Sequence, residues 1–99
     1  MLYAIIATDV PNSVSIRPHV RPRHLQYLKP LIDQGRVVFA GPHPAIDSPD
    51  PGPAGFTGSL IVAEFASLDE AKAWSARDPY VVEGVFGHVE IKPVVQVHP

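Results

Sequence analysis

Hydrophobic period changes sharply near residue 16, and that change sets the order of elements. Leu2-Tyr3-Ala4-Ile5-Ile6-Ala7-Thr8 is apolar at both parities, too short for a helix, and closed by Asp9, Pro11 and Asn12. It reads as a central strand covered on both faces. From Ile16 onward, Ile16, Val20, His24, Tyr27, Leu28 and Leu31 fall within about 120° of one another at helical spacing. Pro18, Pro22 and Pro30 project onto the opposite arc, so a kinked helix with prolines on its solvent side is expected, capped at Gly35. Arg36 to Ala40 and Thr57 to Phe65 read as strands. In the latter, Leu60 and Val62 alternate with Ile61, Ala63 and Phe65, so both faces again look covered. Ser67 to Glu70 fits a capping box opening a second helix that stops by Asp78-Pro79. Val85 to Val97 alternates as a last strand, with Pro93 inside it marking an edge or a bulge. The order βαββαβ is the ferredoxin-like α+β arrangement, a four-stranded antiparallel sheet with two helices on one face. Apolar residues on the uncovered sheet face then predict a homodimer packed sheet against sheet.

Ninety-nine residues suit one domain, 1–99. A 45% hydrophobic, 18% charged composition builds a core, and twelve prolines stiffen the connections. The absence of cysteine removes disulfides, thiolate nucleophiles and cysteine-bound metals, and favours a cytoplasmic chain. No apolar run is long enough to span a bilayer, and Met1-Leu2-Tyr3-Ala4 shows no basic leader. A net charge of −2 makes nucleic acid a poor partner.

His24 is the most informative side chain, because helical projection sets an imidazole among Val20, Leu28 and Leu31. Periodicity alone leaves two readings, a core histidine bonded to a backbone carbonyl or a base awaiting an orienting partner. Asp78 is the nominated partner. Followed by Pro79 and Tyr80, it also looks like an N-cap with proline at N1, opening a short turn that Gly84 closes. A carboxylate has two oxygens, so capping and imidazole binding are compatible.

Gly41 to Phe56 is a proline-rich connection that reads either as a lid or as a rigid hairpin end. Gly55-Phe56-Thr57-Gly58-Ser59 offers amides and hydroxyls but no phosphate fingerprint. Between residues 17 and 36, five cations face one acid. They form a solvated helix face or, at Arg21, an anion contact. His19 and His24 lie about 140° apart on the helix, and His43, His88 and His98 form no ligand spacing, so no metal site is expected.

Tyr3-Ala4-Ile5-Ile6 with Asp9-Val10-Pro11-Asn12, Arg21-Pro22-Arg23-His24-Leu25, Gly41-Pro42-His43-Pro44-Ala45-Ile46-Asp47, Gly55 to Ser59 and Asp78-Pro79-Tyr80 occur in one order. Together they closely resemble the YciI-like (YCII-related) family over essentially the whole chain. The resemblance implies a dimeric α+β barrel, similar to muconolactone isomerases and small cofactor-free monooxygenases. It also implies a His–Asp pair, here His24 and Asp78, in a cleft beside a dimer interface. One branch of the family resembles a dehydrochlorinase of a chlorinated hydroxyquinol. Two departures stand out: Pro22 and Pro30 lie inside the helix, and His43 stands where a non-ionisable polar residue is expected.

Two functional readings follow. In the first, a cofactor-independent enzyme uses Asp78 to set the His24 tautomer and His24 to move a proton on a hydroxylated aromatic or lactone. Arg21 holds an anionic oxygen, and Gly58, Ser59, Tyr80 and His43 line the substrate. In the second, a non-catalytic dimer binds a small metabolite while His24 and Asp78 are structural. Catalysis requires access to His24, whereas the binding module tolerates its full burial.

Overall fold

The computed structural model describes every residue, Met1–Pro99. Strand β1 spans Leu2–Asp9, helix α1 Arg17–Asp33, β2 Val37–Pro44 and β3 Phe56–Glu64. Helix α2 follows at Leu68–Ala76, a single-turn α3 at Pro79–Val82, and β4 at Phe86–Val94. All strand pairs are antiparallel in the order β2-β3-β1-β4, the ferredoxin-like α+β topology expected from the period changes.

Helix α1 runs unbroken through Pro22 and Pro30. Pro18, Pro22 and Pro30 are all exposed, so the carbonyls deprived of an N–H partner lie where water can reach them. The helix ends on a left-handed Gly35 at φ 70°. Gly35 N–H donates to the Ile32 carbonyl and Arg36 N–H to the Leu31 carbonyl, both at 2.9 Å. That reciprocal pair satisfies the last turn and turns the chain into β2. At the start of α2, Ser67 Oγ accepts the Glu70 amide at 3.1 Å, the serine half of the expected capping box.

Only one face of the sheet is covered. Tyr3, Ile5, Ile61, Ala63 and Phe65 pack beneath Leu28 and Leu31 of α1 and Ala71 of α2. A second cluster joins Ala7, Val20, Tyr80, Val85 and Phe86 at the end of the sheet that carries the site. On the other face Leu2, Ala4, Ile6, Leu60 and Val62 are only half-buried. The double coverage expected of β1 and β3 is therefore not met within one chain, because both helices lie on the same side.

Two strand boundaries also differ from expectation. Strand β2 continues past Ala40 to Pro44, pairing Pro42 with Ser59 and His43 with Gly58. It is an edge strand, where a proline can leave its missing N–H on the unpaired side. The connection shrinks accordingly to residues 45–55 and is drawn shut by an Ala45 N–H to Gly55 carbonyl bond of 2.9 Å. Strand β4 ends at Val94 rather than Val97, and Pro93 pairs with Tyr3 on the opposite edge of the sheet.

Candidate active site

Period 3.6 on α1 and period 2 on β1 and β3 aim a set of polar side chains at one cleft. Arg17, Val20, His24, Leu28 and Leu31 form the buried stripe of α1. The His24 ring meets the turn between α2 and α3, where Asp78 is 1% exposed. Asp78 Oδ1 accepts the Tyr80 amide at 2.9 Å, capping α3, and the same oxygen lies 2.7 Å from His24 Nδ1. Capping and imidazole binding thus coexist on one oxygen rather than being divided between two. An ionised carboxylate can only accept, so Nδ1 carries a proton, and in the neutral imidazole the lone pair is on Nε2. The ring is fixed further by a parallel stack on Tyr80, with centroids 4.0 Å apart at 16°, and by the edge of Phe86 at 6.3 Å.

A second buried group stands one heptad before His24. Arg17 Nε donates to Asp9 Oδ2 at 2.9 Å, and Nη2 donates to the Gly58 carbonyl at 3.1 Å and to Ser59 Oγ at 2.6 Å. Asp9 Oδ2 also accepts Ser13 Oγ at 2.7 Å, while Oδ1 is buried without a partner. The guanidinium lies 4.7 Å from the Tyr80 ring centre and 5.6 Å from that of Phe56. Because Arg17 occupies a lone pair of Ser59 Oγ, the serine proton is left to donate elsewhere, and Ser59 lines the cleft. Burial pushes the Tyr80 phenol above its ordinary pKa, with Arg17 and Arg21 pulling against it. It remains a neutral hydroxyl at neutral pH.

The cleft has a volume of about 150 Å³ and is bounded by His24, Ser59, Tyr80, Arg17, Arg21 and Leu28, with β2 closing the far side. Of the nominated residues, His24, Asp78, Ser59 and Tyr80 come together. Arg21 is exposed at the cleft margin. Gly58 contributes its carbonyl to Arg17 rather than an amide to the cleft, and a Cβ there would run into the Ala7 carbonyl oxygen. His43 is exposed beside Gly58 and is not part of the cleft wall. Its neighbour Pro42 shares a face with Ser59, so alternation turns His43 to the other side of the sheet. Arg17 and Asp9, read from the sequence as a solvated cation and a strand terminator, are the residues that reasoning missed. Seven residues bring a helix back to within about 20°, so the projection that singles out His24 also carries Arg17.

Residues 1–95 match the YCII-related domain family. The chain is 55% identical over 97 residues to Protein YciI of Escherichia coli O6:H1, covering 98% of this chain and 99% of that protein. It is 30% identical over 93 residues to fusaric acid biosynthesis protein 2 of Gibberella moniliformis, covering 92% and 89%. Among solved structures it is similar to 5-chloro-2-hydroxyhydroquinone dehydrochlorinase (TftG) of Burkholderia phenoliruptrix AC1100 in complex with 2,5-dihydroxybenzoquinone. That likeness has a TM-score of 0.85 and 27% identity over 96% of this chain and 94% of the other.

Proposed function

The chain belongs to the YCII-related family, and on that premise we propose that its cleft binds an anionic, hydroxylated six-membered ring on which His24 moves a proton without a cofactor. The observation that carries this reading is the buried 2.7 Å contact between His24 Nδ1 and Asp78 Oδ1, on an imidazole that also lines a ring-sized cleft. Asp78 holds the tautomer, Nε2 takes a proton from a ring hydroxyl, and the O–H electron pair moves into the ring. Return of the proton to a ring carbon completes an isomerisation. Where that carbon carries a leaving group, the ring's anionic oxygen pushes its electron pair into the ring to form a carbonyl as the group departs with its bonding pair, completing an elimination with no oxidant needed. Ser59 donates its hydroxyl to the developing oxyanion, and Arg21 offsets the ring's charge. Hydrolysis by a serine nucleophile fits less well, since Ser59 Oγ is bonded to Arg17 and not to His24.

The uncovered sheet face supports a homodimer, as the family resemblance implies. His24 is 6% exposed, which is also compatible with a binding module in which the pair only orders the cleft. Titrating the protein with 2,5-dihydroxybenzoquinone by calorimetry, and assaying chlorinated hydroxyquinols and lactones for turnover, tests both readings. Binding with turnover that disappears in His24→Ala and falls by two orders or more in Asp78→Asn is expected. Turnover that survives in His24→Ala refutes the proton-transfer role, and binding without any turnover selects the binding module.

A further inference from the structure

The cleft beside His24 lies next to a second hollow. At about 150 Å³ it matches the size of a cavity that holds a single benzene ring, so any bulkier ligand has to leave it. That hollow, of about 330 Å³, shares Arg17, Arg21 and Pro42 with the cleft as a common wall. Beyond that shared wall the outer lobe is walled chiefly by the carbon surfaces of Val14, Pro18 and Phe56, and no acidic side chain lines it. Gly55 keeps this wall close. It stands at φ 69°, and a Cβ there would overlap Val14 Cγ2, so the loop backbone seats directly on the valine.

Charge places the boundary between the lobes. Arg17 is neutralised by Asp9, whereas Arg21 takes no part in any of the chain's ion pairs. The cation free to meet a ligand therefore sits on the wall the two share, between a ring-sized chamber of mixed polar and apolar lining and a larger, more apolar one.

We propose that the outer lobe is a subsite for an apolar substituent, so that the ligand is a two-part molecule: an anionic oxygenated six-membered ring beside His24, its charge at Arg21, and a ring-borne alkyl or aryl group against Val14, Pro18 and Phe56. The inference rests on the ring-binding reading above and adds the substrate class. It accounts for a cleft whose reactive end is too small to hold more than one ring while the adjoining space is twice as large.

The test compares 2,5-dihydroxybenzoquinone with 2,5-dihydroxy-3-phenylbenzoquinone by calorimetry on the full chain and on two variants. Val14→Trp fills the outer lobe. Val14→Asn, nearly the same size, makes it polar without adding a charge beside Arg21 and guards against misfolding of the larger substitution. The phenyl compound should bind at least about tenfold more tightly to the unmodified chain, and both variants should abolish that preference while leaving the parent ring's affinity within about twofold. Equal affinity for the two compounds, or an unchanged preference in both variants, overturns the outer subsite and leaves the inner one standing. Failure of both compounds to bind overturns the subsite together with the reading it rests on.

Discussion

Replacing Asp78 separates its two tasks, because asparagine and alanine remove different parts of what the carboxylate does. Oδ1 accepts two N–H groups, the Tyr80 amide at 2.9 Å and His24 Nδ1 at 2.7 Å, and the residue is 1% exposed. Asparagine caps about as well as aspartate and still offers an oxygen to each donor, so Asp78→Asn loses only the charge assistance, about 1 kcal/mol. Alanine loses the cap, about 1 kcal/mol, and strands a buried imidazole N–H, another 1–3 kcal/mol on the usual order-of-magnitude scale. Asp78→Ala should therefore cost roughly 2–4 kcal/mol, three times the amide substitution or thereabouts. Urea unfolding at one fixed protomer concentration measures both, and nitrogen-15 shifts of the His24 ring report whether Nδ1 carries the proton. Equal costs for the two variants, or a protonated Nε2 with a bare Nδ1 in the parent chain, would refute the assignment of the pair.

Asp9 answers for the charge of a buried arginine, and Asp9→Ala leaves Arg17 with only the Gly58 carbonyl and Ser59 Oγ. An uncompensated buried cation costs about 3–5 kcal/mol, so the urea midpoint should fall steeply in Asp9→Ala and also in Asp9→Asn, which keeps the hydrogen-bonding shape but removes the counter-charge. The phenols supply a pH signature. Burial raises Tyr80 and Tyr27 above the ordinary 10.0 in the folded chain, helped at Tyr27 by the charge of Asp78. Above about pH 10 the unfolded chain has then lost protons that the folded chain keeps. The stability they contribute is complete below that pH and lost as pH rises through the folded values, so urea midpoints should drop on the alkaline side, less steeply in Tyr80→Phe.

What the sequence disclosed and what it hid divide along a physical line. Elements were legible wherever one period governed one face: the Leu2–Thr8 run, the stripe from Val20 to Leu31, the cap at Ser67 and the turn that Asp78 opens all appear where their residues imply. The two expected strand ends that moved, at Ala40 and Val97, are both on edge strands, where pairing to a single neighbour lets prolines at 42 and 44 join the sheet or lets β4 stop early. The His24–Asp78 contact joins residues 54 apart. Helix periodicity placed the first and turn chemistry the second, but their meeting depends on how α3 docks on α1. Arg17 escaped notice for a different reason. An arginine at a helix start is normally solvated, and only the inward parity of Asp9 and Ser59 on neighbouring strands shows that this one is neutralised and bonded inside the fold. His43 lies outside the cleft wall because extending β2 by four residues set its parity, and parity is the one property a loop assignment cannot supply.

The proposed dimer and the site lie on opposite faces of one sheet, which makes them experimentally separable. Leu2, Ala4, Ile6, Leu60 and Val62 are half-buried on the uncovered face and Phe39 is exposed beside them, while Glu90 and Lys92 form an ion pair on the neighbouring edge strand β4. Four strands about 4.8 Å apart and some eight residues long present roughly 500 Å² in projection. With side-chain relief that approaches the ~800 Å² per partner of a standard interface. Val62 pairs with Ala4 on one side and Phe39 on the other, near the middle of the apolar area. Val62→Lys buries an unpaired ammonium if the sheets still meet, a cost of several kcal/mol on each side of the interface. The variant should therefore sediment as a monomer at concentrations where the parent is a dimer. His24, Asp78, Arg17 and Ser59 all come from one chain and lie on the helix-covered side of the sheet, so the monomer should still bind 2,5-dihydroxybenzoquinone. A parent chain that sediments as a monomer, or a variant that stays dimeric, removes the sheet face as the interface. A monomeric variant that folds but no longer binds the ring shows instead that the second copy completes the cleft.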